Sequence, residues 1–462
     1  MRFDSASFLF FFLAVLVLHR LLPWRRSLLI LASYAFYASW NPPFLLLLLG
    51  STTLDYQIGR RLGATDEPAR RKLLVSASVV LNLAVLALFK YANFFLDQVA
   101  ALGLVGAAEL EPLYISTQIP LGISFYTFQT ISYSIDVYRR HVEPCRSVGD
   151  FALFVAFFPQ LLAGPVVRAG HFIPQIARNR PADEEQVLDG IELCLVGLFK
   201  KVVLADTFAL LVDRCYADPE AYSSGALVIA SYGFMVQMYC DFSGYSTMAR
   251  GLGKLLGFEL PRNFFFPALA PNPVAYRKAW HITMGDWFRD YFYRPLGGDR
   301  RGTLRAAFNT MVSWSAFGFW HGASWNFLLW GVYQGVILVI YRVAKLQGWL
   351  PRPSRFSAFV GYAIMPPLWG LSIVLFRAET LGHGWRILER IFSFVPGEVS
   401  ISPRWGIALL VLYAWHWANK LWYRERTLAS VGWPMRVSLI VLVLAVLALF
   451  AGSGAPFYYF QF

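Results

Sequence analysis

Apolar residues in this chain come in long blocks separated by short polar stretches. Twelve blocks stand out: residues 8–22, 28–40, 44–58, 73–89, 119–135, 191–212, 226–239, 306–320, 325–343, 359–376, 405–417 and 437–450. Several fall short of the ~20 residues an upright helix needs to cross a bilayer. The pattern therefore predicts an all-α polytopic membrane protein of about ten spans, with re-entrant or tucked-in segments beside them.

The middle third is less regular. Phe157-Phe158-Pro159-Gln160-Leu161-Leu162-Ala163-Gly164-Pro165 puts two prolines and a glycine into an apolar run, and Pro120-Leu121-Gly122 does the same at a block's start. Broken backbone at membrane depth is tolerated where it lines a cavity inside the protein; a kinked packing helix is the alternative. Residues 263–298 are polar and aromatic together. Read as one helix, Tyr276, Trp280, Met284, Trp287, Phe288 and Tyr291 share a face, with Lys278, Ile282, Asp286 and Arg289 largely opposite. That describes a helix lying along the cytoplasmic interface, closed by Arg294-Pro295-Leu296-Gly297-Gly298.

Composition fixes the class. The 462 residues are 57% hydrophobic and 15% charged, and the mean hydropathy of +0.48 lies outside the soluble range. The 16 tryptophans suit helix ends anchored at headgroup level. The first block follows a barely basic start and lacks a small-residue cleavage site, so it is expected to be a span and not a leader. Cys145, Cys194, Cys215 and Cys240 show no CxxC or metal spacing, and neither disulfides nor a metal site is expected. With no repeat and no linker, residues 1–462 are read as one membrane-embedded domain.

A net charge of +13 raises the possibility of a nucleic-acid partner. The basic residues instead sit in short loops, as the positive-inside rule requires, so no nucleic acid is expected. Arg25-Arg26, Arg60-Arg61, Arg70-Arg71-Lys72, Arg139-Arg140, Arg178, Arg180 and Arg300-Arg301 mark the cytoplasmic side. Residues 41–43 and 104–114 carry no positive charge and belong outside, as does the N-terminus.

Candidate chemistry centres on Trp280-His281 and Trp320-His321. An imidazole in hydrocarbon must find partners and is retained mainly where it acts; its pKa near ~6.5 suits proton transfer. Gly318 and Gly322 flank the second pair and would give access to the ring. A satisfied structural histidine is the alternative for each, and Trp415-His416-Trp417 shows that the pairing alone decides nothing. His19, His141, His171 and His383 lie at block ends or in loops, where solvation is expected. Asn82, Gln129, Asp136, Asp241, Ser243 and Asn326 are further polar residues at depth. Asp241, among hydroxyls, is expected to tie helices together through hydroxyls or a basic partner. No nucleophile elbow, P-loop, HExxH or dinucleotide fingerprint occurs.

Gly318-Phe319-Trp320-His321-Gly322, Asn263-Phe264, Trp280-His281-Ile282, Trp287-Phe288-Arg289-Asp290-Tyr291 and Asp241-Phe242-Ser243-Gly244-Tyr245 together resemble the membrane-bound O-acyltransferase (MBOAT) family, its bacterial alginate O-acetyltransferase branch in particular. Residues 120–129, 158–165 and the ending 456–462 resemble that branch too. Where the family often has Phe-Trp-Arg-Arg-Trp-His, this chain has Tyr276-Arg277-Lys278-Ala279-Trp280-His281.

The resemblance implies a ring of helices around a tunnel in a bacterial inner membrane, with His321 and His281 as the functional histidines. Acetyl would move from a cytoplasmic thioester, acetyl-CoA or an acyl carrier protein, toward an extracytoplasmic polysaccharide or a periplasmic acetyltransferase partner. His321 would act as general base; Asn326 and His281 are candidates for stabilising the oxyanion. Asp241, Trp320 and Trp280 would line the tunnel, and Arg277, Lys278 and Arg289 would rim the donor entrance. No bound cofactor is expected. D-alanyl transfer to teichoic acid and a non-enzymatic transporter or flippase are the rival functions.

Overall fold

The computed structural model describes residues 1–103, 105–115, 119–352, 354–421, 427–450 and 457. Of the family-like ending 456–462, all but Phe457 therefore lies outside the described residues. Among the described residues the chain is helical, with one isolated β-bridge between Tyr222 and Val399. Among the described residues four helices are long and apolar enough to cross a membrane: Pro68–Ala101, Trp325–Leu346, Arg355–Arg377 and Trp433–Phe450. Each predicted block falls on helix along most of its length.

The chain divides into two compact units, Met1–Cys194 with Tyr245–Pro261, and Leu195–Gly244 with Arg262–Phe462. The first contains α1 (Ala6–Leu21), α2 (Arg25–Ala38), α3 (Pro42–Gly63), α4 (Pro68–Ala101), α5 (Ile123–Tyr138), α6 (Val148–Ala156), α7 (Ala169–Arg178) and most of α8 (Glu184–Leu198). Its core includes a carboxylate, Asp55, buried completely on α3. Asn82 of α4 donates to it at 2.7 Å, Ser134 of α5 at 3.0 Å, and Ser78 donates as well. A buried carboxylate is tolerable when donors surround it, and these donors bind three helices together. Arg71 of α4 donates to the carbonyls of Val137 and Tyr138 (3.1 and 2.8 Å) at the end of α5. A guanidinium there satisfies terminal carbonyls and matches the negative end of the helix dipole.

The two broken segments of this unit meet. Gly122 adopts φ +74, and a Cβ there would sit 2.7 Å from the carbonyl oxygen of Leu161. Residues 151–167 are buried throughout. The breaks thus permit close backbone packing. His19, expected to be solvated, is buried at the end of α1. His141 and His171 are exposed.

The second unit contains α9 (Asp206–Ala217), α10 (Ser224–Leu255, as far as Gly244), α11 (Pro273–Ala279), α12 (Ile282–Phe288), α13 (Gly302–His321), α14 (Trp325–Leu346), α15 (Arg355–Arg377), α16 (Leu381–Phe392), α17 (Arg404–Leu421) and α18 (Trp433–Phe450). The helices α13 and α14 form a tight antiparallel pair built on small residues. A Cβ on Gly318 would lie 2.3 Å from the Phe327 carbonyl oxygen, and one on Gly331 would lie 2.3 Å from that of Trp314. Gly318 therefore serves backbone approach, and a Cβ on Gly322 would meet the Phe327 ring at 2.4 Å. Neither glycine opens access to His321, contrary to expectation.

Residues 263–298 are not one helix. The helix α11 stops at Ala279; Trp280 is extended, His281 is left-handed (φ 45, ψ 52), and α12 begins at Ile282. The cause is long-range pairing. Phe265 N–H donates to the Ala279 carbonyl and Ile282 N–H to the Asn263 carbonyl, each at 2.9 Å. These bonds occupy groups a continuous helix would use. After α12 the helix loosens into a π-helical turn, Arg289–Tyr293.

Candidate active site

His281 owes its position to that break. Its ring is buried, 4.7 Å edge-on from Phe242, with Nδ1 3.2 Å from Oδ1 of Asn263. The same Oδ1 accepts from the backbone N–H of Thr283 (3.2 Å) and from its hydroxyl (3.0 Å). Burial lowers the pKa of His281 well below its ordinary value, so the ring is neutral at physiological pH.

His321 is the last residue of α13, and its ring lies in an aromatic cage. Trp320, Phe317, Phe376 and Trp330 stand 4.8, 5.0, 5.1 and 5.3 Å away between ring centres. Trp320 is also 6.1 Å from His281, so one indole neighbours both imidazoles.

A cavity of about 1070 Å³ lies inside the second unit. His281, Trp280, Phe317 and Trp330 line it, and so do Arg277, Lys278 and Arg289. Seven basic side chains and one acidic one, Asp299, face this space. Arg289 is paired with Asp286 and Asp290, at 2.5 and 2.9 Å. Two of the cations, Arg342 and Lys345 at the end of α14, were not anticipated; the signal was a basic pair closing a long apolar block. His321 does not line the cavity. Its ring packs against Phe317 and Trp330, which do line it.

Other singled-out residues have different surroundings. Asn326 Nδ2 donates to the Ala378 carbonyl at 2.6 Å, tying α14 to the end of α15. Asp241 pairs with Lys201 at 2.8 Å, and Lys201 also binds Asp206 at 2.7 Å, all three buried. Lys201 lies in a π-helical turn, Phe199–Ala205. It escaped notice in the sequence although Lys200-Lys201 interrupts the block 191–212, which was the available signal. His416 is buried between the rings of Phe266 and Tyr239, at 5.0 and 5.6 Å. His383 binds the Tyr216 carbonyl at 2.9 Å, a structural contact and not plain solvation. Among the described residues no cluster of three potential metal ligands occurs.

Chemically, the arrangement offers a basic chamber for an anionic ligand, one buried histidine at its wall and a second behind aromatic rings. Comparison with known proteins agrees with that chemistry. Residues 146–347, which include both histidines, match the model of the membrane-bound O-acyltransferase family. The "Probable alginate O-acetylase AlgI" of Pseudomonas putida is 36% identical, covering 100% of each chain. The "Peptidoglycan O-acetyltransferase" of Helicobacter pylori is 32% identical, over 78% of this chain and 72% of that protein. A "Teichoic acid D-alanyltransferase" of Streptococcus thermophilus is 29% identical over 48% of this chain and 56% of its own length.

Proposed function

This chain belongs to the membrane-bound O-acyltransferase family and is a bacterial membrane O-acyltransferase, and from that premise we propose that it moves an acetyl group from a cytoplasmic thioester donor toward an extracytoplasmic polysaccharide hydroxyl or a relay protein. The single observation that carries the donor half is the cavity, whose wall includes His281 and whose lining stays net basic after Arg289, Arg294 and Arg342 are paired with Asp286, Asp290 and Asp299. Such a chamber attracts the phosphates of acetyl-CoA or the phosphopantetheine arm and acidic surface of a carrier protein. Arg300, of the basic pair Arg300-Arg301, lines this chamber, and the positive-inside rule places such a pair on the cytoplasmic side of an inner membrane.

The acceptor half falls to His321. A neutral imidazole there takes the proton from the acceptor hydroxyl as its oxygen attacks the thioester carbonyl. When the tetrahedral intermediate collapses, the C–S bond breaks and the thiol leaves with the proton His321 held. The net change is one ester formed and one thioester lost. The aromatic cage keeps water from competing as acceptor until Phe317 or Trp330 moves to admit the acyl group.

Acetyl is favoured over D-alanyl because the acetylase match spans the whole chain and the D-alanyltransferase match about half of it. The test is O-acetyl content of the host's exopolysaccharide with and without the gene. Loss on deletion, restored by complementation, is expected; unchanged acetylation together with lost D-alanyl ester would favour the alternative.

A further inference from the structure

The contacts around His281 settle which of its nitrogens carries hydrogen. A backbone N–H can only donate, so the Asn263 atom that accepts from Thr283 N–H must be the amide oxygen, not its nitrogen. The Thr283 hydroxyl reaches the same atom. An oxygen of a neutral amide has no hydrogen to offer. The His281 Nδ1 that lies 3.2 Å from it must therefore supply the proton.

We infer that Asn263 is a positioning residue that holds neutral His281 in the Nδ1–H tautomer, making Nε2 the ring's acceptor. Asn263 does this from a fixed place, because its backbone carbonyl takes the N–H of Ile282 while its side chain takes that of Thr283. One residue thus caps the start of α12 from a distant segment and holds the left-handed turn at His281.

The consequence is a change of role. A neutral imidazole whose N–H is committed to Asn263 has none to offer an oxyanion. His281 instead accepts: any hydrogen bond it makes to a bound donor is taken from an N–H, S–H or O–H, such as an amide of a pantetheine-type arm or the thiol released by transfer. This role rests on the assignment of the cavity to the thioester donor; the tautomer itself does not.

The test uses the full-length protein in lipid nanodiscs with ¹⁵N-labelled histidine, the His281 signals being assigned by their disappearance in His281→Gln. Wild type should show a protonated Nδ1 and a bare Nε2. Asn263→Asp keeps an acceptor oxygen and should retain that pattern. Asn263→Leu should lose it and slow turnover by ~10–100-fold, the size of loss seen when the partner that fixes the tautomer of a metal-bound histidine is removed. A bare Nδ1 in wild type, or an unchanged pattern in folded Asn263→Leu, would overturn the inference. Because wild type alone reports the tautomer, misfolding of the leucine variant leaves the test decisive. Full acyl transfer by His281→Gln would refute the donor role while leaving the tautomer result standing.

Discussion

The ring of His281 stands 6.1 Å from the indole of Trp320, the residue that immediately precedes His321 at the end of α13. One indole thus neighbours both imidazoles, with His281 on the cavity and His321 packed against Phe317 and Trp330 of its wall.

The chamber's orientation is directly measurable. Lys278 is exposed and lines the cavity. In a background lacking the four native cysteines, Lys278→Cys should react with a membrane-impermeant thiol reagent from the cytoplasmic side only. Labelling from the periplasm in intact spheroplasts would reverse the topology of this region and remove the donor assignment.

The basic lining predicts salt-sensitive donor binding. Charge-reversing Arg342→Glu should raise the apparent KM for a thioester donor with kcat little changed, and raising ionic strength should shrink the difference between variant and wild type. Initial rates at two salt concentrations check this; equal KM values at low salt would contradict it.

Close approach of α13 and α14 makes Gly331 intolerant of a side chain. Gly331→Leu should destabilise the protein by about 1–3 kcal/mol through overpacking and displace the adjoining Trp330. Thermal unfolding in detergent should show the loss. Gly382→Ala, where nothing lies within 4 Å of an added Cβ, should serve as an unaffected control.

How much of this was legible in sequence depended on how local the cause was. Helices read cleanly from apolar blocks because burial in lipid is a property of each block. Asp241 was expected to find a tie, and its partner Lys201 was visible as a charge inside a block. The break at Trp280-His281 was hidden: the 3.6-residue pattern runs straight through it, and pairing with Asn263 and Phe265 overrides that pattern across 14, 18 and 19 residues of chain. Gly318 and Gly322 were misjudged for the same reason, since α14 is what they pack against.

The buried ion triad yields a stability prediction. Lys201→Met would leave Asp206 and Asp241 without their cation, at a cost of about 3–5 kcal/mol. Folded protein recovered from membranes should fall sharply. Asp241→Asn, which leaves Lys201 paired with Asp206, should be milder; equal recovery of both variants and wild type would contradict a structural role.

The proposed transfer turns on His321 as the general base. The most direct measurement is acyl transfer by purified His321→Ala and wild type, reconstituted at equal abundance in proteoliposomes with acetyl thioester and an acceptor glycan or relay protein. Loss of the base should reduce transfer by ~10²–10⁴-fold while insertion and thermal stability stay near wild type. Transfer by His321→Ala at close to the wild-type rate would contradict the account.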